Sequence, residues 1–156
     1  MSRRLPHFNR EALQQSLADE GIRYVRLKSL GGRLNRICQN SPNAALRNPS
    51  FRNCADHMLT QELRYGITEL LALAGGARTA CMRAEQVYFR CHRMLVSDWL
   101  AVHGHQVCHV DDTGPCKAHR LTPEARFVDG QLQYRGDLLL WDSLLCEISH
   151  DRGHWH

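Results

Sequence analysis

Residues Thr79 to Trp99 read TACMRAEQVYFRCHRMLVSDW, and the reading of this stretch decides the fold. An apolar run, Thr79 to Met82, passes into a charged and aromatic loop that holds Glu85, Tyr88, Phe89 and Arg90. Cys91, His92 and Arg93 then open a segment in which Leu95, Val96, Trp99 and Leu100 recur at helical spacing. Strand, short loop and helix in that order predict an α/β protein. In that class the loop after a strand carries binding residues, and the next helix start offers N–H groups and partial positive charge. A thiol at Cys91, flanked by Arg90, His92 and Arg93, stands where a thiolate is favoured.

Working outward toward the amino terminus, Met1 to Pro6 reads as a loose basic leader. Asn9 is a helix cap, with Phe8 and Leu13 at staple spacing, and Gly21 ends that helix. Ile22 to Leu27 alternates and predicts a strand. A long polar loop follows, from Gly31 to about Asn53, before a helical turn over Cys54 to Leu59. Thr60 caps a further helix whose buried stripe is Leu63, Ile67, Leu70, Leu71 and Ala74, and Gly75-Gly76 stops it.

Toward the carboxyl terminus, Gly104 closes the helix of the central stretch and His105 to Val110 predicts a short strand. Leu121 to Arg126 reads as a helical turn with Pro123 at its first position. Phe127 to Tyr134, broken at Asp129-Gly130, predicts a hairpin. Leu138 to Ile148 suits a helix or a strand equally, and residues 150–156 read as a frayed tail. Alternating elements predict a single domain over residues 1–156: a three-layer α/β fold, its sheet mostly parallel, with helices on both faces.

The 156 residues are enough for one domain with a core. Twenty Lys and Arg against sixteen Asp and Glu give +4, with opposite signs interleaved along the chain. That balance permits phosphate contacts without marking a nucleic-acid protein, which shows a basic stripe or a known module. No apolar run has the length of a membrane span and Met1 opens no signal peptide, so a cytoplasmic protein is expected. Seven cysteines without framework spacing then read mostly as small buried hydrophobes.

Four stretches carry a family resemblance. They are FNREALQQSLADEGIRYVRLKSLGG from Phe8, SPNAALRNPSFRNCADHM from Ser41, AEQVYFRCHRMLVSDWL from Ala84 and HRLTPEAR from His119. With them the chain resembles the bacterial family called domain of unknown function 488. The resemblance implies a compact three-layer α/β fold in bacterial cytosol and no particular activity. It also implies departures. Members begin with a strand, a helix and a second strand ending Asp-Val-Arg, so this chain is expected to lack the family's first strands. Members carry Cys where Arg83 stands, ahead of Cys91-His92-Arg93, and aromatic residues where Leu46, Cys54 and His57 stand.

The candidate site follows from these motifs. Cys91 reads as a nucleophile aided by Glu85 and His92, or as a packed cysteine at a helix start beside an Arg93–Glu85 pair. The phosphatase pattern of Cys, five residues and Arg is absent, since position 97 is Ser. In the polar loop, Arg47 and Asn48, with Asn43, Ser50 and Arg52 around them, suit phosphates and hydroxyls, or satisfy their own backbone. Cys81, Cys91, His92, Cys108, His109, Cys116 and His119 include zinc-type donors, but with no paired CxxC no metal ligand is assigned. No cofactor is assigned.

The expectation is therefore a cytosolic protein with a polar, anion-tolerant pocket lined by Arg47, Asn48, Glu85, Cys91, His92 and Arg93. It is either an enzyme or former enzyme acting on a phosphorylated or nucleotide-like ligand, or a non-catalytic binding module for nucleic acid or protein, or an inactive family member. Membrane is not an expected partner, and the oligomeric state is left open.

Overall fold

The computed structural model describes residues 6–31, 40–83, 91–111 and 114–136. After a single 3-10 turn at Pro6–Phe8, the helices are α1 Arg10–Asp19, α2 Pro49–Met58, α3 Gln61–Gly76 and α4 Arg93–Val102. The strands are β1 Cys108–His109, β2 Lys117–Ala118, β3 Ala125–Val128 and β4 Gln131–Tyr134. The strands β1 and β2 form one antiparallel ribbon, and β3 and β4 form another. The leader up to Leu5, residues 32–39 of the long polar loop, Glu85, the segment Leu138 to Ile148 and the tail lie outside the described residues.

Mixed α/β is thus the class, but the described residues form no three-layer parallel sheet, which corrects the expectation from the sequence. Ile22 to Leu27 and Thr79 to Met82 carry no sheet ladder among them. A strand is defined by its partner's N–H and C=O groups. Alternation along one segment reports a tendency to extend and says nothing about a neighbour. The strand expected at His105 to Val110 shortens to the two residues of β1 for the same reason, since the ladder pairs Cys108 with Ala118 and His109 with Lys117 and goes no further.

Local signals acted where they are self-contained. The helices α1 and α4 end in the same way: Gly21 (φ 70°) and Gly104 (φ 83°) adopt the left-handed conformation that glycine takes without strain. Behind them, Ile22 N–H bonds the Leu17 carbonyl at 2.8 Å and His105 N–H bonds Leu100 at 2.9 Å, the double-bonded ending that satisfies the last carbonyls. The side chain of Thr60 caps α3 by accepting from Leu63 N–H. The Asp129-Gly130 turn, with φ of 50° and 75°, closes β3 onto β4 as expected.

Two boundaries moved. The helix α2 starts at Pro49, inside the expected loop, because Asn48 accepts from Ser50 N–H at 2.9 Å and Pro49 takes the first helical position. The expected helical turn before the hairpin is a single bend, Ala125 N–H to Thr122 carbonyl, after which β3 begins at once.

The core lies between α2, α3, α4 and the β3–β4 hairpin. Leu46, Ala55, Met58, Leu63, Ile67, Leu95, Ala125, Leu132 and Tyr134 are buried together, with Phe51, Trp99 and Val102 packed against them. By contrast α1 buries no residue fully. The Ser29–Leu30 segment rests on α3 at Gly66, where a Cβ would stand 2.9 Å from Ser29 Cβ and 3.0 Å from Leu30 Cδ2. That glycine is there for close approach, not for a turn.

Candidate functional site

Cys91 and Arg93 stand at the amino end of α4, as the central stretch predicts, although no ladder strand precedes them among the described residues. Cys91 is 2% exposed and belongs to the core. His92 occupies the cap position without a side-chain cap bond, and no acidic residue stands in the first turn. The amides of Met94 and Leu95 are already bonded to the carbonyls of Cys91 and His92. Those two amides are therefore engaged within the chain.

Arg83 and His92 converge on Gly31. A Cβ at Gly31 would overlap the Arg83 guanidinium and stand 2.8 Å from His92 Nε2. The absence of a side chain there is what lets both side chains approach the backbone. Beyond them lies Cys54, whose thiol burial pushes up, the Arg83 charge pulls down and Cys91 pushes up again. On the other side, burial raises the Cys81 thiol while the Arg93 charge lowers it.

The polar loop before α2 divides. Asn43 is fully buried: its amide donates to Asp56 Oδ1 at 2.9 Å and its carbonyl oxygen accepts from Tyr134 N–H at 2.9 Å. Arg52 folds back on the Leu46 carbonyl through two N–H groups. With Asn48 capping α2, these three serve the backbone. Arg47 is exposed and makes no hydrogen bond or ion pair among the described residues. No described hydrogen bond brings Arg47 or Asn48 to Cys91.

The enclosed cavity beside this helix end is about 10 Å³ and is lined by Gly31, Cys54, His57, Met58, His92 and Leu95, among others. That is room for one water at most. Of the expected pocket residues that are described, only His92 lines it. His57, which stands where the family resemblance places an aromatic residue, is buried and hydrogen-bonds through Nε2 to the Ser29 carbonyl at 3.1 Å.

A second polar cluster was not singled out in the sequence. Asp98, fully buried on α4, accepts from His119 Nε2 at 2.9 Å, Thr122 N–H at 2.9 Å, Thr122 Oγ1 and Tyr134 OH at 2.9 Å. His119 Nδ1 in turn lies 2.9 Å from His109 Nε2. Burial first, then the Asp98 charge and its hydrogen bond, hold the Tyr134 phenol far above its usual range, so it stays a donor. Burial, His119 and Arg93 lower the His109 imidazole, against a smaller upward pull from Asp98. Asp98 sits three residues after Leu95 on the apolar side of α4, and an acidic residue within such a stripe was the available signal.

Cys108 and Cys116 are joined as a disulfide across the β1–β2 ribbon, with Cα atoms 5.8 Å apart. This corrects the reading of the cysteines as mostly buried hydrophobes. Of those described, Cys54, Cys81 and Cys91 keep their thiols and only Cys91 is fully buried. It also removes Cys116 from any pairing with His119 toward a metal. Among the described residues no group of three or more His, Cys, Asp or Glu side chains is placed to hold one.

The family described as domain of unknown function DUF488 matches residues 1–100. The chain belongs to that family. The match takes in the motifs from Phe8, Ser41 and Ala84, while HRLTPEAR from His119 lies beyond it. No curated protein and no solved structure matches the chain. No helix among the described residues is long and apolar enough to cross a membrane.

Proposed function

We propose that the chain binds a small anionic ligand, phosphorylated or nucleotide-like, at the amino end of α4. The observation that carries this reading is the convergence of Arg83 and His92 on Gly31, beside a helix whose first turn contains no acidic residue. Arg93 adds a second guanidinium whose field reaches both Cys81 and His109. Two guanidinium groups give charge-assisted donors, and the imidazole adds a ring N–H, in the number an oxyanion accepts. The ligand sits on this surface and not in the cavity beneath, which is too small for it. Cys91 lies under the site as a packed thiol or as a nucleophile reached when the surface opens, with Glu85 its expected partner. Arg47 supplies an outlying cation, and Asn48 holds α2 in place.

The test is titration of the protein with inorganic phosphate and with adenosine monophosphate, followed by amide chemical shifts. Saturable shifts centred on Gly31, His92 and Arg93, lost in Arg93→Gln and weakened in Arg83→Gln, are the expected result. Shifts spread evenly over the surface, or unaltered in both variants, would sink the reading.

A further inference from the structure

We infer that the Cys108–Cys116 disulfide is a reversible redox site: an exposed clasp that a dithiol opens, loosening the β1–β2 ribbon while the rest of the domain stays in place. The inference stands apart from the anion reading and uses none of its residues.

The ribbon has two faces of different chemistry. Successive side chains of a strand point to opposite faces. The register pairs Cys108 with Ala118 and His109 with Lys117. Cys116, two residues before Ala118, therefore shares the face of Cys108. His119, two residues after Lys117, shares the face of His109. The contacts agree, since the disulfide joins one diagonal pair and the 2.9 Å His109–His119 contact joins the other. The histidine face turns inward, where the His119 side chain, 1% exposed, meets Asp98. The sulfur face turns outward, and both of its cysteines are exposed. Their Cα atoms, 5.8 Å apart, stand at the spacing a disulfide takes without moving the backbone.

The clasp matters because the ribbon is small. Among the described residues β1 and β2 pair at two positions and join no larger sheet. The His119 N–H bonds the Val107 carbonyl at 2.9 Å beside this ladder. The Lys117–Asp111 ion pair, with side chains 58% and 31% exposed, lies in solvent, where such pairs contribute little. An isolated two-stranded ribbon is marginal in water. His119 is held independently from the other side by Asp98, and Thr122 follows it onto the same carboxylate. Opening the clasp therefore loosens β1 against β2 and leaves the segment from His119 onward on α4.

The reaction needs access and a partner of one class, a dithiol. Its first thiol gives a proton to water, and the thiolate attacks one exposed sulfur. The Cys108–Cys116 bond breaks, a mixed disulfide forms, and the other cysteine leaves as a thiolate that takes the proton up. The partner's second thiolate then attacks the mixed disulfide, closes its own disulfide and releases the remaining cysteine, which is protonated in turn. The chain gains two electrons and two protons, and the partner loses them. Glutathione disulfide runs the exchange backward. Exposed disulfides are the exchangeable ones, because attack requires a sulfur that a thiolate can reach.

The test uses the full chain, with dithiothreitol and then glutathione disulfide as probes. Cys108 and Cys116 fall in one tryptic peptide, residues 94–117, so mass analysis after alkylation reads their state apart from the other cysteines. Without denaturant, the disulfide should open in dithiothreitol and close again in glutathione disulfide. On reduction, amide exchange at His119 should speed roughly tenfold, while exchange at Tyr134, whose N–H is held by Asn43, should stay within about twofold. A double variant, Cys108→Ser with Cys116→Ser, should show the reduced pattern with no thiol reagent present. A disulfide that opens only after the chain is unfolded overturns the inference, as do thiols that glutathione disulfide fails to join. Unchanged exchange at His119 overturns it too. Equal acceleration at Tyr134 would make the bond a support of the whole domain and overturn the local clasp. The reduced natural chain needs no substitution, so a double variant that fails to fold leaves the exchange measurement decisive.

Discussion

His119 and Asp98 meet at 2.9 Å with side chains 1% and 0% exposed, 21 residues apart in sequence. The contact draws the segment after β2 onto α4. Thr122 and Tyr134 close on the same carboxylate from the next loop and from β4. A buried charge is tolerated only when its lone pairs are filled, and here one aspartate holds three separate segments in place.

Asp98→Asn should therefore cost about 3 kcal/mol or more, because the donors aimed at the carboxylate would lose their charged acceptor. Tyr134→Phe removes a single charged hydrogen bond and should cost about 2 kcal/mol. Urea denaturation of both variants measures this. A loss under about 0.5 kcal/mol in Asp98→Asn would mean that the hub contributes shape and little energy.

Stability should fall on acidification through His109. Its folded imidazole binds a proton more weakly than the unfolded one, chiefly through burial and then through His119 and Arg93. The unfolded state thus takes up the proton first, starting near the ordinary histidine value of about 6.5. The stability present above that pH is lost as pH drops from there toward the lowered folded value. His109→Gln should flatten the profile over this window, as read from denaturation midpoints at stepped pH. An unchanged slope would assign the acid sensitivity to other groups.

Asn48 and Arg47 are adjacent and should behave differently. Asn48→Ala removes the side chain that accepts from Ser50 N–H and should destabilise by about 1 kcal/mol. Arg47→Ala, at an exposed position, should stay within about 0.5 kcal/mol. Thermal melts of the pair separate the two roles. Equal losses would show that Arg47 is also structural.

Arg83→Cys should have two effects. Without the cation the Cys54 thiol should rise further, so its alkylation near pH 8 should slow. A third thiol near Cys54 and Cys91 should also raise zinc binding relative to the unaltered chain, while phosphate binding weakens with the loss of the guanidinium. Mass-resolved alkylation, metal analysis and a ligand screen of both forms are the measurements. Identical behaviour would mark position 83 as incidental and place the site elsewhere.

The sequence determined what depends on neighbours along the chain. The caps at Thr60, the glycine endings at Gly21 and Gly104, the Asp129-Gly130 turn and the position of Cys91 and Arg93 at a helix start are each written within a few residues. The family was legible for the same reason, as motifs are local strings. Asn48-Pro49 was an equally local signal that a long polar loop obscured. What required tertiary structure was every relation across distance. A strand at Ile22 to Leu27 needs a ladder that its own alternation cannot supply. Whether Asn43 binds a ligand or ties α2 to β4 depends on Tyr134, 91 residues away. The Asp98 hub depends on histidine, threonine and tyrosine side chains brought together only by burial, which lowers the local dielectric and obliges each polar group to find its partner.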